Sequence, residues 1–528
     1  MSTAPDELGR QLSRWLQHRR DRFQGPGVVV GVTDQRRPVT TLVSSGSGHE
    51  IDGSRLFLLA SVSKSFTATL VSQEVGAGRL ALDEPVRTYL PWFAPPSPYP
   101  PFTVEHLLTH TAGLATGYDS TGDAVHELLL IADQEVASAP GEHHVYSNAG
   151  YKALGLVLEA VSGRPWWELC RERILEPLGM HATEPVITNE VRPRLAQGWV
   201  PPLDDRPWRP EHGLVHAPWY ESYTADGTIC SNAEDVLAYV RMYLNDGGDV
   251  LPPEAVERMT RGDVADPETH TRYGFGLWVL ERDGNRLVGH SGSLPGFRSM
   301  ILFDRERRFG GVVLTNGEVD WRTRVDLLAF AIDAAAGEGR ELPEPETRTT
   351  VADAAPFVGR YATGDGTSLE ILAEGDGLAG RVDGAVARLE RFGEDAFVLP
   401  LEGWDRYPLS FEREDGRVLR AVNGPRVLQR EGAFVLPPPP TDPSWDALVG
   451  RYRCYGIEPM NVEVVIREGS LRMVTTAVAE DEELVPLGDG RFRVGREPWM
   501  PGRARFETAV GDRATRVILD GASFARVP

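Results

Sequence analysis

The chain has 528 residues, enough for roughly two to four domains. Hydrophobic residues make up 41% and charged residues 25%, the composition of a soluble globular protein. A formal net charge of -22 and a pI near 5.1 argue against nucleic acid or an anionic membrane as partner.

Leu8, Leu12, Trp15 and Leu16 recur at helical spacing among arginines, which predicts an amphipathic helix from Leu8 to Phe23. Met1 to Phe23 holds no apolar core of a leader, and no stretch reaches the ~20 apolar residues that span a bilayer. The expectation is a cytoplasmic protein without membrane contact. Gly25-Pro26-Gly27 stops the helix. Val28 to Val32 then reads as a buried strand, with Thr40 to Ser44 as its hairpin partner. A buried helix is expected from Ser61 to about Val75. A mostly helical block with proline-rich connections follows from Gly78 to about Ala225. Strands are predicted at 276–281, 286–289, 297–303 and 311–315, and a closing helix from Trp321 to Ala336. Strands at both ends of a helical block give an antiparallel sheet with a helical subdomain beside it.

Residues 338–352 are polar and proline-bearing and form a linker. Beyond them Phe357-Val-Gly-Arg-Tyr361 returns as Leu448-Val-Gly-Arg-Tyr452, each copy followed by a hairpin signature. Two small antiparallel β-barrels fit this repeat. The expected division is 1–337, 353–435 and 445–528, with a second, proline-rich linker at 436–444. Cys170, Cys230 and Cys454 are odd in number and far apart, so they read as buried free thiols rather than disulfides or a zinc site.

Ser61-Val-Ser-Lys64 places a hydroxyl and an amine on one helical face. Serine needs a neighbouring base to become a nucleophile, and lysine can serve when burial disfavours its charge. The chain holds only two lysines, Lys64 and Lys152, among 55 basic residues. It therefore keeps lysine where arginine, always protonated, could not act. Tyr146-Ser-Asn148 offers a phenol to relay a proton and an amide to orient Lys64 and a substrate carbonyl. In His290-Ser291-Gly292-Ser293 the glycine lets backbone approach substrate, and the Ser293 and Ser61 N–H groups form a pair of oxyanion donors. His106 and His110, although four apart, read as core and loop histidines.

Ser-x-x-Lys, Tyr-x-Asn and His-x-Gly in this order resemble the serine hydrolases of the class C β-lactamase and D-peptidase family. Leu107-Leu-Thr-His-Thr-Ala-Gly-Leu114 and Ala225-Asp-Gly-Thr-Ile-Cys-Ser231 add to the resemblance, which covers about residues 5–337. It implies an α/β (α+β) β-lactamase/transpeptidase-like catalytic domain. The repeated tail resembles the two lipocalin-like barrels of bacterial D-aminopeptidase. By this resemblance Ser61 is the nucleophile, Lys64 and Tyr146 are base and relay, and His290 assists, with no metal and no cofactor. Histidine replaces the lysine that class C β-lactamases carry, so strong β-lactam hydrolysis is not expected. The implied activity is an amidase or peptidase on short D-amino-acid peptides or amides. A carboxylesterase and a non-catalytic ligand sensor are the alternatives, and a homo-oligomer is left open. By the same resemblance Asp481, in the run Glu480–Glu483 at an expected turn of the last barrel, holds a substrate ammonium.

Overall fold

The computed structural model describes residues 5–45, 51–117, 121–267, 269–393, 395–433, 440–456, 460–475, 480–508 and 513–527. The catalytic region is built on an antiparallel sheet. Its strands are β1 (Gly27–Asp34), β2 (Pro38–Ser45), β3 (Val264–Asp266), β4 (Thr271–Tyr273), β5 (Trp278–Arg282), β6 (Asn285–Leu294), β7 (Phe297–Asp304) and β8 (Phe309–Thr315). They lie in the order β2-β1-β8-β7-β6-β5-β4-β3. The first and last parts of this region therefore meet side by side in the sheet, where Val30 pairs with Val313.

Alternation along the strands supplies two cores. Val28, Val30, Val32, Met300 and Leu302 face helices α1 (Pro5–His18) and α5 (Trp321–Ala336). Val29, Ile301, Phe303, Val312 and Leu314 face α2 (Ser63–Gly76), α3 (Asn148–Ser162) and α4 (Ala233–Leu244). Each large apolar side chain buried this way contributes roughly 1.5–3 kcal/mol. Residues 78–225 hold α3, several shorter helices and long loops. Strands β3 and β4, not anticipated from the sequence, are short pieces of three residues whose alternation is too brief to read.

A nine-stranded sheet runs from Gly359 to Arg430, and an eight-stranded closed barrel from Gly450 to Val527. Their interiors are filled: Phe357, Phe397, Trp404 and Phe411 in the first, Tyr452, Phe492 and Phe524 in the second. The arm between Trp199–Val200 and its pairing partner Val215–His216 ties both to the catalytic region. Arg209 meets Glu390 of the first sheet at 2.9 Å, and Asp204 meets Arg453 of the second barrel at 2.7 Å. Cys170, Cys230 and Cys454 are all buried and unpaired. Among the described residues no helix is long and apolar enough to cross a membrane.

Candidate active site

Ser61 lies in a single 3-10 turn, Ala60–Val62, that runs into α2, rather than within the α-helix itself. Ala60 has φ +50°, the left-handed region, which costs a non-glycine residue about 1 kcal/mol. The turn is fixed by Leu59, whose N–H donates to the Ile229 carbonyl at 2.8 Å. Its carbonyl accepts the Ser299 hydroxyl at 2.6 Å. One helical turn on, the fully buried Lys64 places Nζ 3.1 Å from Ser61 Oγ. Nζ is also 2.8 Å from Asn148 Oδ1 and 3.0 Å from the Asp226 carbonyl. Its hydrogen-bond partners are thus a hydroxyl, a side-chain amide and a backbone carbonyl rather than a carboxylate.

Ser147 caps α3 by accepting the Gly150 N–H, and this sets Tyr146 and Asn148 on either side of the helix start. Nζ of Lys64 stands 5.0 Å from the centre of the Tyr146 ring. His110 packs on Tyr146 with ring centres 4.4 Å apart, and its Nδ1 accepts the Ser147 N–H at 3.0 Å. Burial and the nearby His144 and Lys64 hold the His110 pKa well below the usual imidazole value, so this ring is neutral.

His290 lies on β6, which extends five residues beyond the end of the strand expected from the sequence and carries His290 to Ser293 along its free edge. Its Nδ1–H donates to the Ser291 carbonyl at 2.7 Å, and Nε2 accepts the Tyr273 hydroxyl at 2.9 Å. Burial, reinforced by Lys64, depresses its pKa to about 3. At neutral pH it is an uncharged, fixed tautomer. Gly292 passes so close to the Ser61 turn that a Cβ would stand 2.0 Å from the Leu59 carbonyl oxygen. Glycine is required there by contact. Ser291 is half-buried and Ser293 exposed at the mouth.

Ser61, Lys64, Tyr146, Asn148 and His290 thus converge on one cleft. Asp481 does not join them. The acidic run lies in a barrel strand, Glu480–Gly488, not at a turn. Both oxygens of the Asp481 carboxylate are taken by Arg467 and Arg472. The facing strand places Arg472 opposite Glu483, so arginines neutralise both Asp481 and Glu483. Trp499 of the second barrel does reach the catalytic region, its ring stacking on His143 at 4.5 Å and 7°.

The sequence reading set His110 aside and passed over Tyr151, Asp226 and Tyr273. Tyr151 is buried with its hydroxyl on the Leu108 carbonyl at 2.8 Å, and its pKa is pushed well above the usual value by burial. Asp226 holds Lys64 by its carbonyl, and its carboxylate lies 4.0 Å from Nζ of Lys152, the second lysine of the chain. The scarcity of lysine was the available signal for that pair.

A protein-family model described as Beta-lactamase matches residues 12–336. Penicillin-binding protein 4* of Bacillus subtilis (strain 168) is 28% identical over 368 residues, covering 64% of this chain and 78% of that protein. D-aminopeptidase of Brucella anthropi is 24% identical over 332 residues, covering 58% of this chain and 59% of that protein. The octameric penicillin-binding protein homologue from Pyrococcus abyssi shares the fold with a TM-score of 0.59 at 22% identity. That match covers 90% of this chain and 98% of the other.

Proposed function

We propose a mechanism from one premise: the chain belongs to the beta-lactamase family and is a serine hydrolase. The 3.1 Å contact between Lys64 Nζ and Ser61 Oγ carries the reading. Nζ of Lys64 is held by Asn148 Oδ1 and the Asp226 carbonyl and faces the Ser61 hydroxyl. Ser61 Oγ attacks an ester or amide carbonyl while its proton passes to Nζ. The carbonyl oxygen takes up the negative charge between the N–H groups of Ser61 and Ser293, each worth about 3–4 kcal/mol in such a site. Collapse expels the alcohol or amine, which receives the proton through the Tyr146 hydroxyl. Water then attacks the acyl carbon, gives its proton to the same pair, and releases the acid as Ser61 recovers its own.

The preferred substrates are short D-amino-acid peptides or amides, a reading supported by the similarity to D-aminopeptidase. His290, neutral above about pH 3, supplies no cation for the carboxylate of a β-lactam, so that hydrolysis is weak or absent. The engagement of Asp481 with two arginines favours a second reading, a carboxylesterase acting on substrates without a free amine.

Ser61→Ala abolishes fluorophosphonate labelling, and labelling that persists removes Ser61 from the mechanism. D- and L-alanine p-nitroanilides set against p-nitrophenyl butyrate separate the two substrate classes. Faster turnover of the D-anilide supports the first reading, and turnover of the ester alone supports the second.

A further inference from the structure

Helix α5 begins at the Asp320 cap and carries Arg324 in its first turn, pointing at the back of the strand that bears Ser293. Arg324 is only 5% exposed. One of its terminal nitrogens, Nη1, donates to two backbone carbonyls, Gly292 at 3.0 Å and Ser299 at 2.7 Å. These two residues face each other across the β6–β7 pair. Among the described residues no carboxylate is within 4.0 Å of the guanidinium, since the nearby Glu318 is paired with Arg298 and Asp320 caps the helix. A buried cation without an ion-pair partner is expensive, and burial together with Arg298 lowers its pKa to about 9.

The Gly292 carbonyl and the Ser293 N–H belong to one trans peptide group, so they point in opposite directions. A cation on the carbonyl draws electron density from the nitrogen and makes its N–H a stronger donor, as in other hydrogen-bond chains of low dielectric. The second contact reaches the other half of the site. Ser299, whose carbonyl Arg324 also holds, donates its hydroxyl to the Leu59 carbonyl at the start of the Ser61 turn.

We propose that Arg324 is a positioning residue for the oxyanion site, polarising the Gly292–Ser293 peptide and, through Ser299, fixing the turn that presents the Ser61 N–H. This inference rests on Ser61 being the nucleophile. Its cation acts from behind the strand and touches no substrate.

The test compares Arg324→Met, which keeps length and apolar packing, with Arg324→Lys, which restores a charge. Two rates are read: second-order labelling of Ser61 by a fluorophosphonate, and kcat and KM on p-nitrophenyl butyrate. Arg324→Met should slow labelling and kcat by roughly 10- to 100-fold, less than the ~10²–10³-fold of losing a donor outright. KM should move less than about threefold, and Arg324→Lys should recover part of the loss. A structural role alone would lower the melting temperature without this split. A folded Arg324→Met with wild-type labelling and kcat overturns the inference. If that variant does not fold, Arg324→Gln replaces it, with a neutral donor of similar reach, and wild-type rates there overturn it equally. Wild-type protein that shows no Ser61-dependent labelling refutes instead the reading beneath it.

Discussion

The catalytic cleft and the barrels both use arginine to tie backbone carbonyls, but to different ends. In the first sheet Arg430 donates to the carbonyls of Pro356, Val418 and Val358. In the second barrel Arg526 does the same to Ala447, Ala514 and Val449. Each lies over the tyrosine of the repeated Val-Gly-Arg-Tyr string, whose hydroxyl donates to a carbonyl four residues earlier at 2.7 Å in both copies. These half-buried corners hold the ends of a sheet around an apolar interior. Arg324 is sunk into the core and holds the strand that lines the cleft. Where water can reach the cation the contact is a fastening. Where it cannot, the same contact becomes an electrostatic influence on the groups beyond it.

Substitutions can break that contrast, beginning with the largest effect. Lys64→Met should lower kcat of the folded protein on p-nitrophenyl butyrate by about 10³-fold or more, because the reacting proton loses its acceptor. A loss under tenfold would place the cleft and the barrels on the same footing. Arg526→Met should do the reverse. It leaves three carbonyls to water and costs about 1–3 kcal/mol in urea unfolding, with kcat of the folded protein unchanged.

pH sharpens the contrast through opposite signs. Burial lowers the folded pKa values of His110, His144 and His290 below 6.5, so the unfolded chain binds more protons as pH falls below that value. The catalytic region then loses stability, each histidine contributing at most about 1.4 kcal/mol per pH unit. In the second barrel burial raises Asp520 to about 6. Between the unfolded value near 3.8 and about 6 the folded state holds the extra proton, so the barrel gains stability as pH falls. Calorimetry at pH 7 and pH 5 should show the two contributions diverging, and a common shift would contradict the assignment. Tyr452→Phe, which removes the hydroxyl that donates to Leu448 and accepts from Arg526 at a barrel corner, should cost about 1 kcal/mol by the same urea measurement.

Much of this was legible because it is local or repeated. The Ser61–Lys64 pair lies within one helical turn, and the Val-Gly-Arg-Tyr copies announce two similar β-units. Val28 to Val32 could be read as buried because β-branched residues on both faces of a strand need cover on both. The contacts that complete the site join distant positions: Lys64 with Asp226, His110 with Ser147, Arg324 with Gly292. No periodicity records such meetings. Arg324 in particular reads as an ordinary helix arginine until the fold buries it. Asp481 misled because its neutralising partners, Arg467 and Arg472, sit 14 and 9 residues away along a hairpin.

Both lysines of the chain are buried, Lys64 fully and Lys152 to within 1%. The protein therefore presents no lysine amine to its surroundings. Succinimidyl dyes, lysine cross-linkers and carbamylating reagents will find no lysine on the outside. Modification of either lysine by such a reagent signals entry into the interior, and adduct mass on a tryptic-resistant peptide becomes a direct gauge of whether the cleft has opened.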